Sequence, residues 1–251
     1  MGIEFEHFLI TRFNVKNQAW QVDKSGVTVR DDSWTKHRLQ LFEQICLPSI
    51  QNQTNKNFKW LIYFDIDTCD EVRERFKVIR QENPFIFPRY IQGMEVFIAS
   101  LQKDISSHLQ KNTQHLITTR IDNDDAFHQE AMANIQSGFD GQKIEAINLL
   151  EGVQWEIRGD NFYYAFNESN PFISLIEKLN FNVVFKTVFY KDHRYFAEKP
   201  EDGVMTRQFC GEPMWLQVIH EANISNETDG QPIFKDGVLE MFSMNASSLK
   251  I

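Results

Sequence analysis

The sequence predicts an α/β fold: a mostly parallel central sheet flanked by helices, with a mixed C-terminal half. Three observations predict it. Apolar strand-like runs alternate with helix-period segments through the first 127 residues. The run Phe58 to Phe64 is continuously apolar, as a strand buried on both faces must be. A third run, Leu116 to Ile121, ends abruptly in Asp122, Asp124 and Asp125, at the strand carboxyl edge where open α/β sheets bind ligands.

The elements follow in order. Phe8 to Phe13 reads as the first strand. Residues 35–50 carry Leu39, Phe42, Ile45, Cys46 and Ile50 at helical spacing. Phe58 to Phe64 is the second strand, ending at Asp65. Thr68-Cys69-Asp70-Glu71 has the form of a capping box for a helix with the buried stripe Val72, Phe76 and Ile79. Phe85 to Ile91 is the third strand, Phe97, Leu101, Ile105 and Leu109 the next helix stripe, and Leu116 to Ile121 the strand that delivers the acids. Beyond residue 140 the pattern changes. Ile144 to Val153 and Asn161 to Phe166 flank Arg158-Gly159-Asp160 as an antiparallel hairpin. Asn170-Pro171 has the signature of a short helix start. Val183 to Tyr190 reads as a strand, and Glu212-Pro213 as the opening of a last helix carrying Trp215, Val218 and Ile219.

Length and composition bound the rest. With 251 residues, no repeat and no Pro/Gly-rich linker, a single domain over 1–251 is expected, its second half an extension of the first. A net charge of −9 without a basic block argues against nucleic acid as a partner. The start of the chain lacks the basic and apolar regions of a signal peptide, and no apolar run is long enough for a transmembrane segment. Peripheral membrane contact is left open. Cys46, Cys69 and Cys210 are odd in number, without zinc-ligand spacing, and read as reduced, mostly packed thiols of a cytoplasmic protein. The five Asn-X-Ser/Thr sequons carry no weight in such a chain.

The acids carry the chemistry. Two carboxylates about 4 Å apart repel by roughly 4 kcal/mol at an effective dielectric near 20. A divalent cation removes that penalty, and Mg²⁺ and Mn²⁺ prefer carboxylate oxygens. A solvated acidic turn or a helix N-cap is the bland alternative. An EF-hand loop is excluded, because its sixth position is Phe127 and its twelfth Ala133. Asp65-Ile66-Asp67-Thr68 superficially fits a haloacid-dehalogenase-type phosphatase, but Cys69 stands where Thr or Val is needed and a strand–helix unit precedes it.

Trp34, His37-Arg38, Leu41-Phe42-Glu43, Leu47-Pro48-Ser49-Ile50, Gln53-Thr54, Phe58 to Asp65 and Thr119 to Phe127 together resemble the putative rhamnosyltransferase family of bacterial glycosyltransferases, over about residues 8 to 226. The resemblance implies a GT-A-type, Rossmann-like fold, with a nucleotide-sugar-binding half at about 1–127 and an acceptor half at about 128–251. It also implies Mn²⁺ or Mg²⁺, and transfer from a nucleoside-diphosphate sugar to a hydroxyl of a glycan or other acceptor, with polysaccharide biosynthesis as the setting and inversion as the expected stereochemistry. A degenerate, non-catalytic nucleotide-sugar or glycan-binding domain is the alternative.

On that reading Asp122 and Asp124 hold the metal, Asp124 as the direct ligand and Asp122 through water or at the ribose instead, and Asp125 is either a third ligand or the N-cap of a helix near Phe127. His220 completes the coordination or is a structural histidine. Thr11, Arg12 and Asp65 line the nucleotide cleft, Arg12 stacking on a base or pairing with phosphate. Arg120 is a further substrate contact or a counter-ion to Asp65 or Asp122, and Arg38 a surface residue or a phosphate ligand. Glu212 is the candidate base for the acceptor hydroxyl, with Asp160, Asp202 and Glu151 as alternatives. Trp155 and Trp215 are sugar-stacking platforms or core residues.

Overall fold

A computed structural model describes residues 4–17, 31–180, 183–197, 202–220, 228–244 and 249. Its larger sheet is built on four parallel strands: β1 (Phe5–Arg12), β2 (Lys59–Asp65), β3 (Ile86–Ile91) and β4 (His115–Arg120), in the spatial order 4-1-2-3. Successive side chains of β1 face opposite ways. Leu9 joins Phe42, Trp60, Phe64 and Phe76 on one side of the sheet. Phe8 and Ile10 join Phe97, Leu101 and Ile105 on the other. Helices cover both faces, as an all-parallel core requires.

The first helical segment is not uniform. Helix α1 (Asp32–Leu41) is capped by the Asp31 carboxylate, which accepts from Trp34 N at 2.7 Å. A π-helical turn, Phe42–Cys46, follows, and α2 (Leu47–Gln51) completes the segment. Pro48 explains the widening. It has no N–H to give and its ring crowds the carbonyl four residues back, so Leu47 N donates to Phe42 O, five residues back. Helix α3 (Asp70–Glu82) buries Val72, Phe76 and Ile79 as their spacing predicts. The expected capping box is not formed. Thr68 instead donates its hydroxyl to Asp65 O at 2.7 Å, and α3 begins at Asp70 without a side-chain cap. Helix α4 (Phe97–His108) buries Phe97, Leu101 and Ile105.

After α5 (Ala131–Ser137) the apolar run 144–153 splits between two sheets. β6 (Ile144–Leu149) enters the large sheet beside β9 (Ser174–Lys178) and β10 (Thr206–Phe209), giving the order β10-β6-β9-β4-β1-β2-β3. β7 (Glu151–Glu156) starts a second sheet of order β12-β8-β7-β11-β5, with β5 (Ala126–Phe127), β8 (Asn161–Phe166), β11 (Trp215–Ile219) and β12 (Gln231–Ile233). The predicted hairpin is the β7–β8 pair, turning at residues 157–160 with Asp160 at φ 51. Helix α6 (Val238–Met241) packs with Leu41 and Ile45 against this sheet.

Three expectations for this half are corrected. Asn170-Pro171 opens no helix: Asn170 accepts from Phe172 N and donates to Leu149 O, bending the chain into β9. Residues 183–190 form no strand, and residues 181–182 lie outside the described residues. Three of their backbone donors go to side chains instead, Lys186 N and Thr187 N to the Glu177 carboxylate and Val188 N to Thr118 Oγ1. The segment 215–219 is a strand and not a helix. It runs parallel to β7 with Trp215 opposite Gly152, and Trp215 stacks on Phe172 at 5.1 Å while donating to Leu149 O. Of the cysteines, Cys46 is buried, Cys69 half-buried and Cys210 exposed, all as thiols.

A buried polar chain ties α5 to the sheet. Gln136 Nε2 donates to His7 Nδ1 at 3.0 Å, which makes Nε2 the protonated nitrogen facing Thr119 Oγ1 at 2.8 Å. Thr119 in turn meets Ser174 Oγ at 2.6 Å. Burial pushes the His7 imidazole down to about 3. The unfolded chain therefore binds a proton below about pH 6.5 that the folded protein refuses. Stability is full above that pH and falls by about 1.4 kcal/mol per unit as pH drops toward 3. Urea denaturation between pH 7 and 4 checks this, with His7→Gln expected to be less steep by about that slope. At Gly152 an added Cβ would lie 2.0 Å from the Trp215 ring. Gly152→Ala is expected to cost about 1–3 kcal/mol in the same measurement.

Candidate active site

The loop that follows β4 joins the two sheets. Asn123 Nδ2 donates to Phe13 O at 3.1 Å, fastening the loop to the end of β1. Cys46 Sγ donates to Asp122 O at 3.6 Å, reaching it from the π-helical turn. Asp125 Oδ1 accepts from Val218 N at 2.9 Å, fastening the loop to β11. Asp125 is therefore not the N-cap of a helix near Phe127, since α5 begins at Ala131. Burial, with Asp124 and Asp122 nearby, raises its carboxyl well above the usual range.

Asp124 is the charged centre, at 1% exposure. Its Oδ2 contacts Arg38 Nη1 and lies 2.9 Å from His220 Nε2. Arg38, 9% exposed, reaches it from α1, with its guanidinium 4.8 Å above the Trp34 ring. His220 follows the last residue of β11, and the His37 ring stands 5.8 Å from it. Burial works against the Asp124 anion, but Arg38 and His220 together hold its carboxyl well below the ordinary carboxylate value. The Arg38 contact was open to reading: Trp34, Arg38, Leu41 and Phe42 share one helix face, and an Arg on an apolar stripe needs a buried anion.

A second cluster lies at the carboxyl ends of β1 and β4. The guanidinium groups of Arg12 and Arg120 stand 5.1 and 5.4 Å from the Phe189 ring centre. Arg120 Nη1 lies 3.3 Å from His193 Nδ1. Burial, followed by the Arg120 charge, pushes His193 down to about 4, so its ring is neutral at pH 7. Arg120 Nε is buried with no hydrogen-bond partner. The half-exposed carboxylate of Asp122 is near enough to act on His193. Phe189 and His193 left no sequence signal, because the turn that presents them is held by Glu177 and Thr118.

Other candidates are placed elsewhere. Thr11 is fully buried and accepts from Trp60 Nε1 at 2.9 Å, so it lines no cleft. Both Asp65 oxygens accept backbone amides, from Lys16 and Asp67, and hold the loops beside β2. Trp215 is core. Trp155 stacks on Phe162 at 5.5 Å and donates to Asp160 Oδ1 at 3.3 Å. It forms one wall of a cleft of about 480 Å³ that Ile157, Asp160, Lys235, Leu239 and Glu240 also line. Glu212 is exposed and precedes β11, whereas His220 follows it, so a strand of roughly 16 Å separates the two. Glu151 is at that same far end, accepting from Gly211 N at 3.2 Å. Asp202 accepts from the Tyr190 hydroxyl at 2.7 Å and pairs with Lys191. Of the four carboxylates considered as base, Asp160 shares the end of the second sheet that His220 occupies, since Ile157 N donates to Ile219 O.

The donor set can be tested against a divalent ion. Two donors at adjacent corners of an octahedron, each about 2.1 Å from Mg²⁺ or Mn²⁺, stand roughly 3 Å apart. Asp124 Oδ2 and His220 Nε2 are 2.9 Å apart, which is also a hydrogen-bond distance, and Arg38 Nη1 contacts the same oxygen. Among the described residues no group of three His, Cys, Asp or Glu side chains converges. Asp124 and His220 are the two residues that could supply donors to an ion, with the remaining positions left to phosphate and water.

A family model described as putative rhamnosyl transferase matches residues 6–232. The chain belongs to this family. No curated protein matches it significantly. Among solved structures, TarS 1–349 of S. aureus in complex with UDP-GlcNAc is 9% identical, with a TM-score of 0.47 over 88% of this chain and 60% of that one. The chain thus spans less than two thirds of the TarS fragment. A putative nucleotide-diphospho-sugar transferase from Desulfovibrio desulfuricans G20 is 9% identical, TM-score 0.35, over 88% of this chain and 83% of that one. The inositol-1-phosphate CTP transferase from T. maritima is 10% identical, TM-score 0.38, over 97% of each chain. No helix among the described residues is long and apolar enough to cross a membrane.

The geometry separates the roles of the acids in stability. Asp124→Ala leaves the Arg38 charge buried and is expected to cost about 3–5 kcal/mol. Half-exposed Asp122→Asn is expected to stay within about 0.5 kcal/mol of the parent. Chemical denaturation of the two variants checks the contrast.

Proposed function

We propose that this member of the putative rhamnosyl transferase family moves a sugar from a nucleoside-diphosphate donor to a hydroxyl of a glycan acceptor, with a divalent cation and by inverting single displacement. Rhamnose is the sugar its family description names. The observation that carries the reading is the gathering of Arg12, Arg120 and Asp122 at the carboxyl edge of adjacent parallel strands, with the Asp124–His220 pair two residues further along the same loop.

Departure of the donor's diphosphate builds negative charge, and this edge is where the chain supplies positive charge. Arg12 and Arg120 are planar cations suited to paired phosphate oxygens. The buried, unsatisfied Nε of Arg120 would gain a partner there. Asp124 and His220 are the residues that would hold Mn²⁺ or Mg²⁺, which as a Lewis acid stabilises charge on the leaving diphosphate when bound. His193, neutral and against Arg120, keeps that guanidinium pointed at the strand ends.

The acceptor is assigned to the cleft beside the β7–β8 turn. Trp155 gives it an aromatic wall and Asp160 a carboxylate. A sugar needs both, an apolar face to rest on and an acceptor for its hydroxyl proton. Asp160 is the base on this reading, fixed by Trp155 Nε1 and by Lys235 Nζ at 2.7 Å.

A thermal-shift panel of nucleotide sugars, including a nucleoside-diphosphate rhamnose, with and without Mn²⁺, tests donor recognition. The expected result is stabilisation by one nucleotide class, with affinity at least about tenfold weaker in Arg12→Ala and Arg120→Ala. Absence of any shift sinks the proposal. Asp160→Asn is expected to bind donor normally and lose transfer to acceptor. Unchanged transfer moves the base to Glu212 or Asp202. Donor binding without release of nucleoside diphosphate makes the chain a binding domain.

A further inference from the structure

We propose that Glu177 is a positioning residue for the donor's diphosphate: it holds the turn 186–189 so that Phe189 and His193 fix the Arg120 guanidinium at the strand edge. The inference rests on the reading of Arg12 and Arg120 as phosphate ligands given above. Glu177 acts through backbone, ring and imidazole, not by contact with the ligand.

Strand register sets the geometry. Glu177 stands opposite Leu116 across the antiparallel β4–β9 pair, so the two share one face of the sheet. Thr118 and Arg120 follow at alternate positions of β4, on that same face. The turn runs along it toward the strand end. Glu177 Oε2 accepts from Lys186 N and Oε1 from Thr187 N, both at 2.8 Å, and Thr118 Oγ1 accepts from Val188 N at 2.8 Å. Next comes Phe189, whose ring centre lies 5.1 Å from the Arg12 guanidinium and 5.4 Å from that of Arg120. Leu116 to Arg120 is roughly 13 Å along the strand, so the carboxylate governs the guanidinium from well outside contact.

Two unfavourable features meet at this turn. Glu177 is buried, which pushes its carboxyl up, while the two amides and the Lys186 charge draw it back. Thr187, fully buried and β-branched, sits at φ 64, in the left-handed region such residues avoid. Backbone persists there only where its surroundings hold it. Here the hold is a carboxylate whose two oxygens match two successive amides; a carboxamide would turn its NH₂ toward one of them. What the turn presents suits a phosphate ligand. Phe189 offers Arg120 a π face, and His193 Nδ1 meets it at 3.3 Å with a ring that is neutral at pH 7. Neither cancels the guanidinium charge, whereas a carboxylate in their place would hold Arg120 and neutralise it.

Isothermal titration calorimetry with uridine, thymidine and guanosine diphosphate, at one Mn²⁺ concentration throughout, tests this. Run far below Tm, it reads affinity in the folded protein, which a loss of global stability alone does not move. Glu177→Gln is expected to weaken binding of the diphosphate that the parent accepts at least about fivefold. In the Arg120→Ala background the same substitution is expected to cost about twofold or less, because the group it positions is gone. A folded Glu177→Gln that binds as the parent does overturns the inference. So does a loss of equal size with and without Arg120, which is what a purely structural role gives. If Glu177→Gln does not fold, Thr118→Val removes the neighbouring anchor of the turn and is judged by the same two measurements. A parent that binds none of the three diphosphates, or an Arg120→Ala that binds as the parent does, defeats the phosphate reading itself and this inference with it.

Discussion

The structure turns on one buried anion and the loop that carries it. A carboxylate with 1% exposure, such as Asp124, survives only with a cation at hand. The chain meets that demand from two distant places, α1 and the end of β11, through Arg38 and His220. Satisfying the charge therefore draws a helix of the first half and a strand of the second onto the edge of the parallel sheet. The neighbouring residues of the loop do the same by neutral means, Asn123 to the end of β1 and Asp125 to Val218. Five residues after β4 thus fix where the second sheet stands relative to the first. The chemistry of the site and the joining of the two sheets depend on the same hydrogen bonds.

That dual use explains why the first half was legible in the sequence and the second was not. The parallel strands are apolar on both faces, and the helices between them are long enough for their periods to show: Val72, Phe76 and Ile79 all fall on the buried face of α3. In the second half the elements are short and are set by contacts from afar. Trp215 to Ile219 is five residues, too few to separate a helical from an extended apolar run. Its extended form follows from Gly152, which leaves room for the Trp215 ring, and from β5, which pairs with it. Residues 183–190 have the composition of a strand, but Glu177 and Thr118 take their amides.

The site divides along the same line. The acids at 122–125 stood out because like charges in succession at the end of a buried strand are costly without a partner. What the sequence could not apportion was the partner of each. Asp124 turned to Arg38 and His220, Asp125 to a backbone amide, and Asp122 stayed half-exposed beside His193. Three aspartates within four residues thus hold three kinds of work, and only tertiary contacts tell them apart. Thr11 and Trp215 show the reverse: residue types common in sugar sites, spent here on the core because the sheet places them facing inward.

The arrangement of charge also reconciles an acidic chain with an anionic ligand. A net charge of −9 repels a diphosphate at long range. That repulsion is screened beyond about 8 Å at physiological ionic strength, so capture depends on what lies within contact of the strand edge. There the balance reverses. Arg12 and Arg120 flank Phe189, Arg38 backs the acids, and the acids are already compensated or, for Asp125, driven toward the neutral form. Asp122 is the half-exposed acid of the loop at that edge. A site built this way gains affinity for a dianion at short range without the long-range attraction that would collect nucleic acid. Selectivity for a compact, doubly charged group then follows from where the guanidinium groups are fixed, and from the hydrogen bonds that fix them.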